Sequence, residues 1–216
     1  TIMAPKDFKE LEDMMNFAIT LKKPVVIRYP RGGEAKEKFI THSQIQYKRS
    51  DILTIGNDVT IVAIGNQVAK ALNVCRKLKE AGINAEVINA RFLKPFDKYT
   101  VLKSINKTHF VVTIEDNSLV GGLGAEVKEL IAERRISNVI VRNFGYPDVF
   151  VEHGTPQELE EIYKLDEKSV FNYITNEIKY KKRTNKNNKF NKKNKTKKYV
   201  DNKANKNIDE SQNKIG

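Results

Sequence analysis

The run Val59-Thr60-Ile61-Val62-Ala63-Ile64-Gly65 decides how this chain folds. It is a stretch of mostly β-branched, apolar side chains stopped by a glycine, which reads as a short strand. A strand that is apolar on both faces belongs in a parallel sheet covered on both sides. The residues beyond Gly65 agree. Ala69, Leu72, Val74, Cys75, Leu78 and Ala81 trace one face of a helix that stops at Gly82, a residue suited to the left-handed position after a helix. Residues 85–88 are a second apolar strand. Pro95 and Asp97 open a helix with Val101, Leu102 and Ile105 on one face. Residues 110–114 are a third strand, with Glu115-Asp116 at its end. Gly121–Gly124 leads to a helix over 125–134, and residues 139–141 are a fourth strand. Thr155 with Glu158 forms a capping box ahead of Leu159, Ile162 and Leu165, and a last helix starts near Glu167. Strands alternating with helices predict an α/β fold with a mostly parallel sheet and helices on both faces. No internal repeat at a fixed period is present.

Working back toward the start, Asp7 and Glu10 stand at capping-box spacing. Phe8, Leu11, Met15, Ala18 and Ile19 then predict a helix that buries one face, with the Met14-Met15 pair as core packing. Residues 24–27 predict a buried strand. Arg28-Tyr29-Pro30-Arg31-Gly32-Gly33 closes it, at the sheet edge where open α/β folds place ligands. An arginine fork grips phosphate or carboxylate in a bidentate way, and glycines let backbone approach a ligand closely. The alternative is a pair of surface arginines in loop ion pairs. Residues 33–58 are polar and irregular, as an exposed connection would be. The first element starts at Thr1, so this reads as the end of a domain whose beginning is missing.

The net charge is +12, of which +10 falls within residues 176–216. That stretch is dominated by Lys and Asn, so it cannot bury enough apolar surface to offset its ordering entropy and is expected to be disordered. Its Lys clusters at 181–182, 192–193 and 197–198 carry few interleaved aromatics, Tyr180, Phe190 and Tyr199. Salt-sensitive contact with polyanions fits this pattern, and specific nucleic-acid recognition does not. No apolar run is long enough to span a bilayer, and the first residues lack a signal-peptide pattern. The single Cys75 precludes an intramolecular disulfide, which fits the cytoplasm, and its place on the helix face suggests a small buried hydrophobe.

Four stretches in register carry a family resemblance: Arg28-Tyr29-Pro30-Arg31-Gly32; Arg91-Phe92-Leu93-Lys94-Pro95-Phe96-Asp97; Glu115-Asp116-Asn117-Ser118 with Gly121-Gly122-Leu123-Gly124; and Gly145-Tyr146-Pro147-Asp148 with Val151-Glu152-His153-Gly154. From Ile2 to about Ile174 they resemble the C-terminal part of the 1-deoxy-D-xylulose-5-phosphate synthases, members of the thiamine-diphosphate-dependent, transketolase-like superfamily. The resemblance implies four regions. Residues 1–40 end a middle, pyrimidine-binding domain, 41–58 are a linker, 59–175 form a transketolase C-terminal-like α/β domain, and 176–216 are the tail. It implies a homodimer that condenses pyruvate with glyceraldehyde 3-phosphate, with loss of CO₂. It also implies that Arg31 contacts the phosphate of the triose, while Arg28 supports the loop or a domain contact. Thiamine diphosphate and Mg²⁺ serve that family. The Gly-Asp-Gly…Asn segment that holds the metal, and the acidic residue that activates the cofactor, are not found in this sequence. No catalytic, cofactor-binding or metal-binding residue is therefore assigned here, and this chain alone is expected to be inactive. A transketolase, or the β subunit of a 2-oxo-acid dehydrogenase, is the alternative within the superfamily. A non-catalytic module with a polyanion-binding tail is the alternative outside it.

The remaining chemistry-bearing residues have bland readings. Gly121–Gly124 matches neither a dinucleotide fingerprint nor a Walker A loop and suggests a tight turn with close helix packing. Glu115 and Asp116 point to opposite faces of a strand, so they do not form an acid–base pair. Glu152-His153 lacks a nearby nucleophile pattern and suggests a loop contact or interface. His42 reads as a solvated loop residue and His109 as structural, starting a strand.

Overall fold

The computed structural model describes residues 1–30, 39 and 42–184. The chain is divided into two units, Thr1–Tyr173 and Ile174–Gly216. In chain order the first unit carries β1 (Ile2–Met3), α1 (Phe8–Leu21), β2 (Val26–Ile27), β3 (Asp51–Thr54), β4 (Val59–Ala63), α2 (Gln67–Glu80) and β5 (Ala85–Asn89). It continues with β6 (Phe92–Lys94), α3 (Lys98–Thr108), β7 (Phe110–Ser118), α4 (Leu123–Glu133), β8 (Ile140–Tyr146) and α5 (Pro156–Ile162). Residues 167–173 are helical. The second unit is described over residues 174–184, which are also helical. The expected tail from 176 therefore has helical backbone as far as 184, and the rest of it lies outside the described residues.

The main sheet has the order β3-β5-β4-β7-β8. β4, β5, β7 and β8 run parallel, with Val62 opposite Ile88 on one side and Thr113 on the other. All five residues of β4 and of β5 are buried, as two covered faces require. On one face Val62, Ile64, Ile88 and Val111 meet Val101 and Ile105 of α3 and Leu123, Val127 and Leu130 of α4. On the other, α2 packs with Val68, Ala71, Val74 and Leu78 buried. The expected mostly parallel α/β fold, with helices on both faces of the sheet, is what forms. Local signals placed the helix ends well. Asp97 caps α3 by accepting from Thr100 N at 3.1 Å, Thr155 and Glu158 make the reciprocal capping box of α5, and Gly82 takes φ +73° after α2.

Three expectations are corrected, and one strand is added. Residues 41–58 are not wholly an irregular connection, because β3 lies there as an antiparallel edge strand on β5. The strand at 24–27 is not a buried strand of the main sheet. β2 is the edge of a separate sheet, β2-β1-β6, and Val26 is exposed. β6, which gives that sheet its antiparallel partner, falls within the Arg91–Asp97 stretch and carries no strand-length apolar signal of its own. Finally, α1 turns the other way. Glu10 and Met14 are buried, while Phe8, Met15 and Ile19 are 57, 56 and 78% exposed. Met14 packs with Met3, Ile45 and Phe92, supported by Phe17 and Ala18, so half of the Met pair is core. The helix has two apolar stripes, and periodicity does not say which of two stripes faces the small sheet.

Candidate functional site

At the carboxyl edge of the sheet the chain leaves β4 for β5 on one side and later returns to β7 on the other. The crevice of an open α/β fold forms at such a reversal. A cavity of about 690 Å³ lies there, with Asn66, Gln67, Asp116 and Tyr146 from the strand ends and Pro30 at its rim. Gly65 takes φ +63° and turns the chain from β4 into α2. Asn66 Nδ2 donates to Asp116 Oδ2 at 3.1 Å. The Tyr146 phenol is pushed up from its ordinary value by burial and then by the charges of Asp116 and Glu160. Its ring meets Tyr163 edge-on at 5.5 Å.

Arg28 reaches this edge from the small sheet. Its backbone N–H donates to Met3 O at 2.8 Å. Its guanidinium donates to Asp116 O, and to Asn117 Oδ1 at 3.4 Å. Arg28 thus ties the end of β2 to the end of β7, a supporting contact of the expected kind. Tyr29 is exposed. Arg31, expected to contact phosphate, lies outside the described residues, as do Gly32 and Gly33.

Glu115 and Asp116 do diverge as strand neighbours should. Glu115 is 2% exposed and accepts from Leu123 N at 2.7 Å and Gly124 N at 2.8 Å. Its carboxylate therefore occupies the N-terminus of α4, where an anionic ligand of a phosphate loop would sit. Gly124 approaches so closely that a Cβ there would overlap the Asn143 amide, as close helix packing requires. Burial pushes the Glu115 carboxyl above the ordinary range, and the amide bonds only partly offset it. A raised folded value means that the contribution of this proton to stability is fully present below the unfolded carboxylate value and is lost as pH rises through the folded one. We expect the melting temperature of wild type minus that of Glu115→Gln to be largest near about pH 4 and to shrink toward about pH 7. A gap that widens toward neutral pH would contradict this.

A buried ionic cluster joins the two sheets. Glu10 Oε1 accepts from Arg91 Nε at 2.7 Å, with side chains 1% and 3% exposed. Glu10 also accepts from Lys6 N at 2.7 Å and from Asn89 Nδ2 at 3.0 Å. Arg91 further donates to Asp51 Oδ2 at 3.2 Å and to Ser43 O at 3.0 Å. His42 is not simply solvated, since its Nε2 lies 2.7 Å from Asp7 Oδ2. Neither periodicity nor motif spacing gave Arg91 or Glu10 a role in such a cluster. A charged residue between Ala90 and Phe92, next to a buried strand, was the available signal.

Cys75 is buried, with Sγ 3.7 Å from Ala85 O. His109 ends α3 in the left-handed conformation, directly before β7. Glu152 and His153 lie in an exposed loop. Among the described residues no group of three or more His, Cys, Asp or Glu side chains is placed to hold a metal ion, and no helix is long and apolar enough to cross a membrane.

Known proteins are similar to this chain in sequence and in architecture. Residues 49–170 match the family described as Transketolase, C-terminal domain. The 1-deoxy-D-xylulose-5-phosphate synthase of Halothermothrix orenii is 41% identical over 170 residues, 78% of this chain and 27% of that protein. The 1-deoxy-D-xylulose-5-phosphate synthase 1 of Geobacter sulfurreducens is 41% identical over 167 residues, 77% of this chain and 26% of that protein. The chain therefore spans about a quarter of the length of the curated relatives it matches. A solved structure described as a split-gene transketolase, an inactive β4 tetramer, superposes with a TM-score of 0.75 at 34% identity. It covers 82% of this chain and 57% of that one.

Proposed function

Since the chain belongs to the transketolase C-terminal domain family, we propose that it is the C-terminal part of a 1-deoxy-D-xylulose-5-phosphate synthase. The observation that carries this reading is the similarity to such synthases over 78% of the chain at 41% identity. The complete enzyme condenses pyruvate with glyceraldehyde 3-phosphate, releases CO₂ and feeds isoprenoid synthesis and, in many bacteria, thiamine and pyridoxal synthesis. It works in the cytoplasm as a homodimer. Thiamine diphosphate supplies the electron sink for pyruvate decarboxylation, with Mg²⁺ on its diphosphate. The described residues of this chain do not fit that cofactor. The described part has no metal-holding cluster, and the sequence has no Gly-Asp-Gly…Asn segment. The cofactor is held by segments outside this chain.

Residues 1–40 close the pyrimidine-binding domain, 41–58 lead from it, and 59–175 form the C-terminal domain. Arg31 binds the triose phosphate group, so that remote binding energy orients the aldehyde carbon. In the complete enzyme, Arg31→Ala is expected to raise the KM for glyceraldehyde 3-phosphate at least about tenfold while pyruvate decarboxylation persists. An unchanged KM would remove that role.

A second reading is favoured by the split-gene transketolase structure. The chain would then be one polypeptide of a split enzyme, completed by a partner that brings the cofactor site. One assay separates the readings. The purified chain with thiamine diphosphate, Mg²⁺, pyruvate and glyceraldehyde 3-phosphate is expected to make no product. Product from the chain alone overturns both readings, and product that appears only with a second polypeptide from the same cells favours the second.

A further inference from the structure

We propose that the last described turns of the second unit's helix, with Lys179, Tyr180, Lys182 and Arg183, bind single-stranded RNA without sequence preference. The inference does not depend on the synthase reading. Residues 174–184 are helical. Ile174 and Ile178, one turn apart, are 0 and 7% exposed, so the apolar stripe of this helix is used in packing. Lys179, Lys182 and Arg183 are exposed and stand at i, i+3 and i+4, which puts them on one face. None of the three has an acidic partner among the described residues, whereas Lys181 is half-buried and partnered. The sequence continues in the same way: from Lys179 to Lys198 it carries eleven Lys and Arg and no Asp or Glu. The C-terminal end of a helix favours cations, which steadies this turn without neutralising it. A polyphosphate that takes the place of the counterions of such a face releases them to solvent, which drives binding.

The kind of polyanion follows from what stands beside the cations. Tyr180 is 68% exposed. Its carbonyl accepts from Thr184 Oγ1 at 2.9 Å, which fastens the turn that presents the ring. An exposed aromatic ring among cations is a platform on which an unpaired base stacks. Phe190 and Tyr199 repeat the pairing of aromatic and Lys further along the sequence. A DNA duplex keeps its bases stacked inside, whereas RNA offers unpaired bases in loops and ends. Contacts to phosphates and to the faces of bases are open to every sequence, so they do not discriminate. An anionic membrane is the poorer partner, because a surface-bound helix needs an apolar face beside its basic one. Val170, Ile174 and Ile178 would give an isolated helix that face, but all three are buried. From Lys179 to Lys198 the sequence has no Val, Leu, Ile or Met to replace them.

The test is fluorescence anisotropy of the intact 216-residue chain with a labelled oligouridylate of about 20 nucleotides. Saturable binding with a Kd below about 100 µM at about 0.1 M salt is expected, with log K falling linearly as log salt rises. A mixed-sequence RNA of the same length should bind within about threefold. The triple variant Lys179→Gln, Lys182→Gln, Arg183→Gln alters only exposed side chains. It is expected to weaken binding at least about tenfold and to make the salt slope shallower by about 2, three phosphates at about 0.7 each. Tyr180→Ala is expected to weaken binding at least about fivefold with the slope unchanged. If the triple variant fails to fold, Tyr180→Ala decides. Absence of saturable binding up to about 100 µM, an unchanged slope in a folded triple variant, or an unchanged affinity in Tyr180→Ala would each overturn the proposal. So would a preference of more than about tenfold for one sequence, tighter binding to a DNA duplex of the same length, or stronger retention on phosphatidylserine vesicles than on the RNA at the same salt. The readout is binding rather than turnover, so its failure is distinct from failure of the synthase reading.

Discussion

Glu10→Ala is expected to lower the unfolding free energy of this chain by about 3–5 kcal/mol, the cost of breaking a buried ion pair from one side. The variant leaves Arg91, 3% exposed at its side chain, without its nearest carboxylate, and leaves Asn89 Nδ2 and Lys6 N without an acceptor. Lys6 Nζ, fully buried and 3.4 Å from Glu10 Oε1, loses that carboxylate too, while Asp51 and the Ser43 carbonyl remain on Arg91, so the loss should fall toward the upper part of that range. Urea denaturation followed by circular dichroism measures it. The informative comparison is a double-mutant cycle with Arg91→Met. The two single losses should sum to clearly more than the loss of the double variant, because the second substitution removes the charge that the first one stranded. Simple additivity would mean that the two side chains do not act as a pair.

Gly124→Ala is expected to cost about 2–3 kcal/mol, in the range of forced overpacking of a buried contact. The added methyl would overlap Nδ2 and Cγ of Asn143 and lie 2.9 Å from its Cβ. Asn143 is held on β8 opposite Thr113 of β7, so it cannot retreat without disturbing the sheet. Truncating the obstacle relieves most of the clash, and the pair Gly124→Ala with Asn143→Ala should recover much of the stability lost by Gly124→Ala alone. No recovery would place the cost in the α4 backbone rather than in this contact. The same geometry explains why the glycine-rich turn is not an anion loop. α4 sits hard on the sheet, with Glu115 filling its N-terminus.

Much of the main sheet was legible in advance because its information is local. A continuous apolar run, a helical stripe, and a capping residue three positions before its amide partner are all readable within a few residues. That is why β4, α2, β5 and the caps at Asp97 and Thr155 stand where the sequence puts them. Short elements were harder. β1, β2 and β6 are two or three residues long, and each exists through pairing with a strand distant in the chain. β3 carries a polar first residue and an exposed second one, so it shows no alternation to read. Arg31, the one residue tied by resemblance to a substrate, lies outside the described residues, so its role rests on the motif alone.

The sequence by itself determined the α/β alternation, the parallel main sheet, the helix caps and the family. Each of these rests on periodicity, near-neighbour chemistry or the spacing of motifs. Only the tertiary structure decided which stripe of α1 is buried, that Glu10 and Arg91 meet across 81 residues, and that Asn66, Gln67, Asp116 and Tyr146 share one crevice. The physical reason is common to all three. Burial and charge pairing are properties of neighbours in space, and the topology that brings strand ends together also sets which side chains become neighbours.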